Sequence, residues 1–164
     1  MTRETERLEI YALTPGELMM LAEDLPELEK SIGAVYKAEP VEGRFREIVL
    51  SQARIAANDR ENYLWHTFWL IIRKEDRVVV GSIDFKSPPD ADGMVEIGYG
   101  LGSGFEKNGY MRESVREMRS FALEMPGVTG IKAETEKSNI ASQNVLQNCG
   151  FVLYRREETL WWKL

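Results

Sequence analysis

The segment that most constrains this chain runs from Met94 to Met125. Met94-Val95-Glu96-Ile97-Gly98-Tyr99-Gly100-Leu101 alternates in the manner of a strand, and Gly102-Ser103-Gly104-Phe105-Glu106-Lys107-Asn108-Gly109 forms a glycine-bearing turn. Met111, Val115, Met118, Ala122 and Met125 then recur at helical spacing, which predicts a helix over Tyr110 to Met125. A strand, a glycine-bearing turn and a helix N-terminus together form a physical recipe for holding an anion. The first helical N–H groups lack intrahelical partners and carry the positive end of the dipole, and glycine lets the backbone approach a ligand closely. The same glycines also suit an ordinary loop that needs positive φ. Their spacing is neither Gly-x-Gly-x-x-Gly nor a P-loop ending in Gly-Lys-Ser/Thr, so neither a dinucleotide nor a nucleoside triphosphate is indicated.

The flanking sequence supplies a sheet and helices around this junction. Trp65 to Ile72 and Arg77 to Phe85 read as strands joined by the polar turn Lys74-Glu75-Asp76, and with Met94 to Leu101 they make a three-strand meander. Before them, Arg7 to Leu13 reads as a strand, followed by a helix with Thr14 as N-cap and Pro15 at its first position. Leu18 to Glu23 and Glu27 to Tyr36 are helix-compatible and broken by Pro26. Gly43 to Asn58 places Phe45, Ile48, Val49, Gln52, Ile55 and Ala56 along one stripe. After the central helix, Gly130 to Thr135 reads as a strand, Ile140 to Cys149 as a helix capped by Ser138 or Asn139 and ended by Gly150, and Phe151 to Leu164 as a closing strand pair. No repeat or linker divides the 164 residues, so one α/β domain is expected over 1–164.

Charge and reactive side chains narrow the chemistry. Lys+Arg of 21 against Asp+Glu of 27 gives a net charge of -6, which disfavours a nucleic-acid partner held by phosphate neutralisation. A single cysteine, Cys149, and a single histidine, His66, leave disulfide frameworks, Cys/His zinc sites and His-based triads without support, and no metal is expected. The N-terminus is charged and no apolar run is long enough for a signal peptide or a membrane span, so the expected location is cytoplasmic and no membrane partner is expected. His66 reads as structural and Cys149 as a packing residue, while Trp161-Trp162 either packs on the sheet or joins a homodimer interface.

Three motifs in order carry a resemblance over nearly the whole chain: Glu96-Ile97-Gly98-Tyr99, then Glu106-Lys107-Asn108-Gly109-Tyr110-Met111-Arg112-Glu113-Ser114, then Asn139-Ile140-Ala141-Ser142 with Gly150-Phe151. On these motifs the chain resembles the GCN5-related N-acetyltransferase (GNAT) superfamily, in its ribosomal-protein-N-terminal acetyltransferase-like branch. The resemblance implies a mixed, mostly antiparallel central sheet flanked by helices and splayed at the fourth strand, with acetyl-CoA as co-substrate. The family wraps the pyrophosphate in a turn of pattern Gln or Arg, two residues, Gly, one residue, then Gly or Ala. Those positions here are Glu106, Gly109 and Met111, so only the glycine fits, and Glu106 is expected to point outward. Lys107, Asn108 or Arg112 would then give the polar contact, with the amides of Asn108, Gly109, Tyr110, Met111 and Arg112 as the cradle.

The resemblance further implies that the backbone of Tyr99, Gly100 and Leu101 pairs with the pantetheine arm, and that Glu96 accepts the amine proton, with Asp84 and Glu134 as rival acids. It also implies that Ser142 assists the departing thiolate while Asn139 bonds the pantetheine amides or orients the serine; the tyrosine many members use is replaced by Leu146. The expected reaction is direct acetyl transfer to a primary amine, either a protein N-terminus or a small molecule. The alternative is a non-catalytic acyl-CoA-binding or sensing module.

Overall fold

Phe68-Trp69-Leu70-Ile71-Ile72 is apolar without interruption, and burial on both faces of a central strand explains it: Trp69 and Ile71 pack on one side, Phe68, Leu70 and Ile72 on the other. A computed structural model describing residues 1–164 places this strand, β4 (Phe68–Arg73), inside a nine-stranded sheet. The other strands are β1 (Thr2–Glu4), β2 (Leu8–Ala12), β3 (Val35–Tyr36), β5 (Val78–Phe85), β6 (Met94–Leu101), β7 (Gly130–Thr135), β8 (Val152–Arg156) and β9 (Leu160–Lys163). The helices are α1 (Pro15–Glu23), α2 (Leu25–Ile32), α3 (Gly43–Asn58), α4 (Tyr63–His66), α5 (Tyr110–Glu124) and α6 (Ile140–Asn148). Strand order is β1-β2-β4-β5-β6-β7-β9-β8, with β3 paired to β5; only β6–β7 and β3–β5 are parallel.

Each sheet face has its own core. Val115, Met118, Phe121 and Ala122 of α5 pack with Leu8, Ile10, Trp69, Ile83, Val95 and Ile97 on one face. Leu18, Leu21, Leu28, Val49 and Ala53 of α1 to α3 pack with Phe68, Leu70, Ile72 and Val79 on the other. The result is the mixed, mostly antiparallel α/β sheet expected. No helix is long and apolar enough to cross a membrane.

The sheet opens at β6. Phe85 to Gly81 of β5 pair with Ile97 to Leu101, whereas β7 pairs with β6 only at Met94, Val95 and Glu96. Beyond Glu96 the two parallel neighbours diverge, and a wedge forms between β6 and the start of α6. Of the strands anticipated from sequence, β6 is the fourth; the short β1 and β3 add to that count.

Local chemistry explains both the agreements and the differences. Thr14 caps α1 with a full capping box, its hydroxyl accepting from Glu17 N–H while the Glu17 carboxylate accepts from Thr14 N–H. Pro26 opens a helix instead of breaking one, because it lies in the first turn of α2, where Asp24 caps and no N–H is needed. That helix ends at Ile32 with Gly33 left-handed at φ 61°, and Val35–Tyr36, read as helix from sequence, add in parallel to the end of β5 that β6 leaves free. Trp65 and His66, read as strand, close a short helical turn where Trp65 packs on Phe85, and the strand starts only at Phe68. On α3 the buried line is Val49, Ala53 and Ala56, while Ile48 and Ile55 are exposed, so the stripe turns inward through the small residues.

Candidate active site

A cavity of about 720 Å³ fills the wedge. Its walls are Tyr99, Gly100 and Leu101 of β6, the turn and first helical residues Glu106, Lys107, Gly109, Tyr110, Met111 and Arg112, and Asn139, Ala141, Ser142, Asn144, Val145 and Asn148 on and before α6. The end of β6 and the turn that directly follows it thus converge on one space with a third, later segment that begins at Asn139.

The strand wall offers main chain. Glu96 and Gly102 bond to the β5 side through Lys86 N–H to Glu96 C=O and Gly102 N–H to Val80 C=O, both 2.9 Å. Antiparallel pairing alternates, so Gly98 and Gly100 also face β5, and Tyr99 and Leu101 turn their N–H and C=O groups toward the wedge. Gly81 keeps this strand close. A Cβ there would collide with the Gly100 carbonyl and would lie 3.2 Å from Leu101 Cα, so only glycine lets β5 and β6 pair at this point. Sequence reading passed over Gly81, although an isolated glycine within Val78-Val79-Val80-Gly81-Ser82-Ile83 is the signal for close backbone approach.

The helix wall offers donors. Lys107 and Gly109 both adopt left-handed backbone, at φ 63° and 79°, and Gly109 is the N-cap of α5 with no side chain to occupy the first N–H groups. A stretch in these conformations exposes successive amides in one concave patch. Lys107 and Arg112 are exposed on its rim. Glu106, expected to turn outward, is itself part of the wall. Asn108 does not line the cavity: its side-chain amide donates to the carbonyls of Phe105 and Glu106 at 3.2 and 3.0 Å, tightening the turn from behind.

On the third wall, Asn139 caps α6 by accepting from Ser142 N–H at 3.0 Å, and the Tyr99 hydroxyl donates to Ser142 C=O at 3.2 Å. Both main-chain groups of Ser142 are thereby fixed, and the residue lines the cavity. Burial pushes the Tyr99 phenol well above its ordinary range, so it stays a donor.

Glu96 lies outside the cavity lining, on the face of β6 that carries Gly98 and Gly100. It is half-buried, and that desolvation raises its pKa against the lowering pull of Lys86 and Lys132, with Glu134 and Asp84 adding to the rise. Asp84 is committed to Lys86 at 3.0 Å, and Glu134 accepts from the Thr159 hydroxyl at 2.5 Å, so neither rival acid is as free. The remaining singled-out residues serve the fold. His66 pairs with Asp59 at 3.0 Å, Cys149 is buried with its thiol pushed up by desolvation, and Trp162 donates to the Thr135 hydroxyl at 2.9 Å inside the core.

The cavity and the strand edge fit a long, phosphate-bearing pantetheine ligand: the turn at Gly109 is one a side chain would strain, and the wedge is lined by unpaired main chain. Residues 7–152 match the model of the acetyltransferase (GNAT) domain, and the chain belongs to that family. It is 34% identical over 85 residues to an uncharacterized N-acetyltransferase, YjdG, of Bacillus subtilis (strain 168). That alignment spans 52% of this chain and 51% of the relative, about half the length of each. The fold superposes on a ribosomal-protein-S5-alanine acetyltransferase from Vibrio fischeri with TM-score 0.71 at 16% identity, covering 100% of this chain and 96% of that one. It also superposes on RimL, a ribosomal L7/L12 alpha-N-protein acetyltransferase in complex with coenzyme A, with TM-score 0.64 at 17% identity, covering 98% and 94%.

Proposed function

We propose that this protein transfers an acetyl group from acetyl-CoA directly to a primary amine, with a protein N-terminus as the first acceptor to test and small amines next. The observation that carries the proposal is the convergence at one cavity of the unpaired edge of β6 and the N-terminus of α5. RimL, which shares the fold, was solved with coenzyme A.

When bound, acetyl-CoA supplies an acetyl group already activated as a thioester. The main-chain groups of Tyr99 and Leu101 line up the pantetheine arm, and the amides from Gly109 to Arg112 receive the pyrophosphate, aided by the rim charges of Lys107 and Arg112. Glu96, made more basic by burial, takes the proton the acceptor amine must lose, through water because it stands outside the cavity lining. The Ser142 hydroxyl, on a main chain fixed by Asn139 and Tyr99, donates to the sulfur as it leaves. No covalent enzyme intermediate is required, which accords with a buried Cys149.

The experiment is incubation with acetyl-CoA and a panel of N-terminal peptides and small amines, following thiol release and the acetyl mass gain of each acceptor. Acetylation of at least one amine is expected. CoA binding without turnover on any amine would favour the acyl-CoA-binding module, and no CoA binding at millimolar concentration would sink both readings.

A further inference from the structure

The turn that carries the cradle is held from outside by a residue given no role above. Arg7 lies in the connection between β1 and β2 and is not among the residues that line the cavity, and its side chain reaches α5 and the turn together. Its Nε donates to Oε2 of Glu113 at 2.8 Å while Nη2 forms an ion pair with the same oxygen at 2.7 Å, its Nη1 donates to the Asn108 carbonyl at 3.0 Å, and its guanidinium lies 4.8 Å from the centre of the Tyr110 ring. Its main-chain N–H and the Thr5 hydroxyl occupy the other carboxylate oxygen of Glu113, at 3.0 and 2.5 Å.

Two physical consequences follow. The peptide between Asn108 and Gly109 is trans, so its C=O and N–H point in opposite directions. By drawing the Asn108 carbonyl toward itself, Arg7 sends the Gly109 N–H the other way, and Gly109 itself lines the cavity. The second consequence is electrostatic. Glu113 sits in the first turn of α5, where a bare carboxylate would compete with any anion for the positive end of the helix. Arg7 neutralises that carboxylate, and neither residue of the pair lines the cavity. With its donors committed to Glu113 and Asn108, Arg7 acts through them and not by touching phosphate itself.

We infer that Arg7 is a positioning residue for the anion cradle: it aims the Gly109 amide and cancels the Glu113 charge, so that the turn binds the pyrophosphate portion of the CoA co-substrate despite the carboxylates at Glu106 and Glu113. This inference rests on the CoA reading of the cavity. Burial alone would raise the Glu113 pKa, but the bonds from Thr5 and Arg7 win and hold it below the usual carboxylate range, consistent with a carboxylate engaged at all times.

The test is calorimetric titration of the full chain with CoA, with its 3′-phospho-ADP half, and with Arg3→Ala as control. Arg3 ties β1 to the same helix through Glu117 at 2.7 Å, farther along α5 from the cradle, so it reports a merely structural tether. Arg7→Ala is expected to weaken CoA and 3′-phospho-ADP by the same factor, about tenfold or more, the scale of a lost charged hydrogen bond. Arg3→Ala should leave both within about twofold of the wild type. Should Arg7→Ala not fold, Arg7→Lys keeps one charge but not the fork that spans Glu113 and Asn108, and is expected to weaken both ligands by about threefold. Unchanged 3′-phospho-ADP binding in the Arg7 variant, or equal losses in the Arg7 and Arg3 variants, would overturn the inference while leaving the cavity reading intact. A wild type that binds neither ligand would overturn the cavity reading itself.

Discussion

The Tyr99 hydroxyl donates to the Ser142 carbonyl at 3.2 Å, tying β6 to the first turn of α6 across the wedge left where β6 departs from β7. One tyrosine thus spans the two walls that must stay apart and in register for a ligand to lie between them. The strut is half of a pair, since Asn139 holds Ser142 from its N–H side.

Tyr99→Phe should therefore loosen the position of Ser142 without changing the walls chemically. The expected cost in stability is about 1 kcal/mol, the usual net worth of a hydrogen bond, visible as a lower denaturant midpoint. Acetyl transfer should slow by several-fold, to a similar degree as Ser142→Ala if the serine hydroxyl acts only when held in place.

Gly81→Ala tests the closeness of β5 and β6. The added Cβ meets the Gly100 carbonyl, a backbone atom that cannot swing aside, so the strands must separate. A loss of about 2 kcal/mol or more in stability is expected, comparable to other overpacked sites. Weaker CoA binding by titration should accompany it, because the displaced segment is the strand wall of the cavity.

Gly109→Ala should cost less, and for a different reason. Its new Cβ would lie 3.5 Å from an Arg7 nitrogen and 3.6 Å from an Arg112 nitrogen, which is ordinary contact, so the penalty is the left-handed backbone alone. That is about 1 kcal/mol, measured by chemical denaturation. A larger loss in CoA affinity than in stability would identify the amide at this position as a ligand contact.

Glu96 should leave its mark on pH dependence. Its carboxyl is raised above the ordinary value of 4.5, chiefly by burial, and it must be ionised to take a proton, so kcat/KM should fall as pH drops through the raised value. Glu96→Gln should remove that acidic limb and lower the neutral rate by about 100-fold. The sign for stability is opposite. Folding raises this pKa, so the cost of the partly buried charge is present above the raised value and relieved below it; Glu96→Gln should be no less stable than the wild type at neutral pH. Paired thermal melts at neutral and acid pH check this.

Local rules made much of the molecule legible in advance. β6, β7 and α6 start where the alternation, the spacing and a cap at Ser138 or Asn139 put them, with Asn139 the one that caps, because those signals act within a turn or a strand. The N-cap at Thr14 and the opening of α5 at Tyr110 are of the same kind. Where Pro26 was read as a break, the chain context was local too, but the Asp24 cap that makes proline welcome at a helix start was overlooked.

What only the tertiary structure decided is which groups face one another. The small β3 exists because β5 runs past the end of β6 and leaves an edge to fill, and the turn at Trp65–His66 forms because Trp65 finds Phe85 in the core. Separation of β6 from β7 turns the main chain of Tyr99 and Leu101 from sheet ladder into wall, and it leaves Glu96 outside the cavity lining. The contact of Arg7 with Asn108 and Glu113 spans more than a hundred residues of sequence, as the separations of 101 and 106 show. Periodicity and capping are written into neighbouring residues, whereas such pairings depend on where the sheet carries each strand, and no local pattern encodes that.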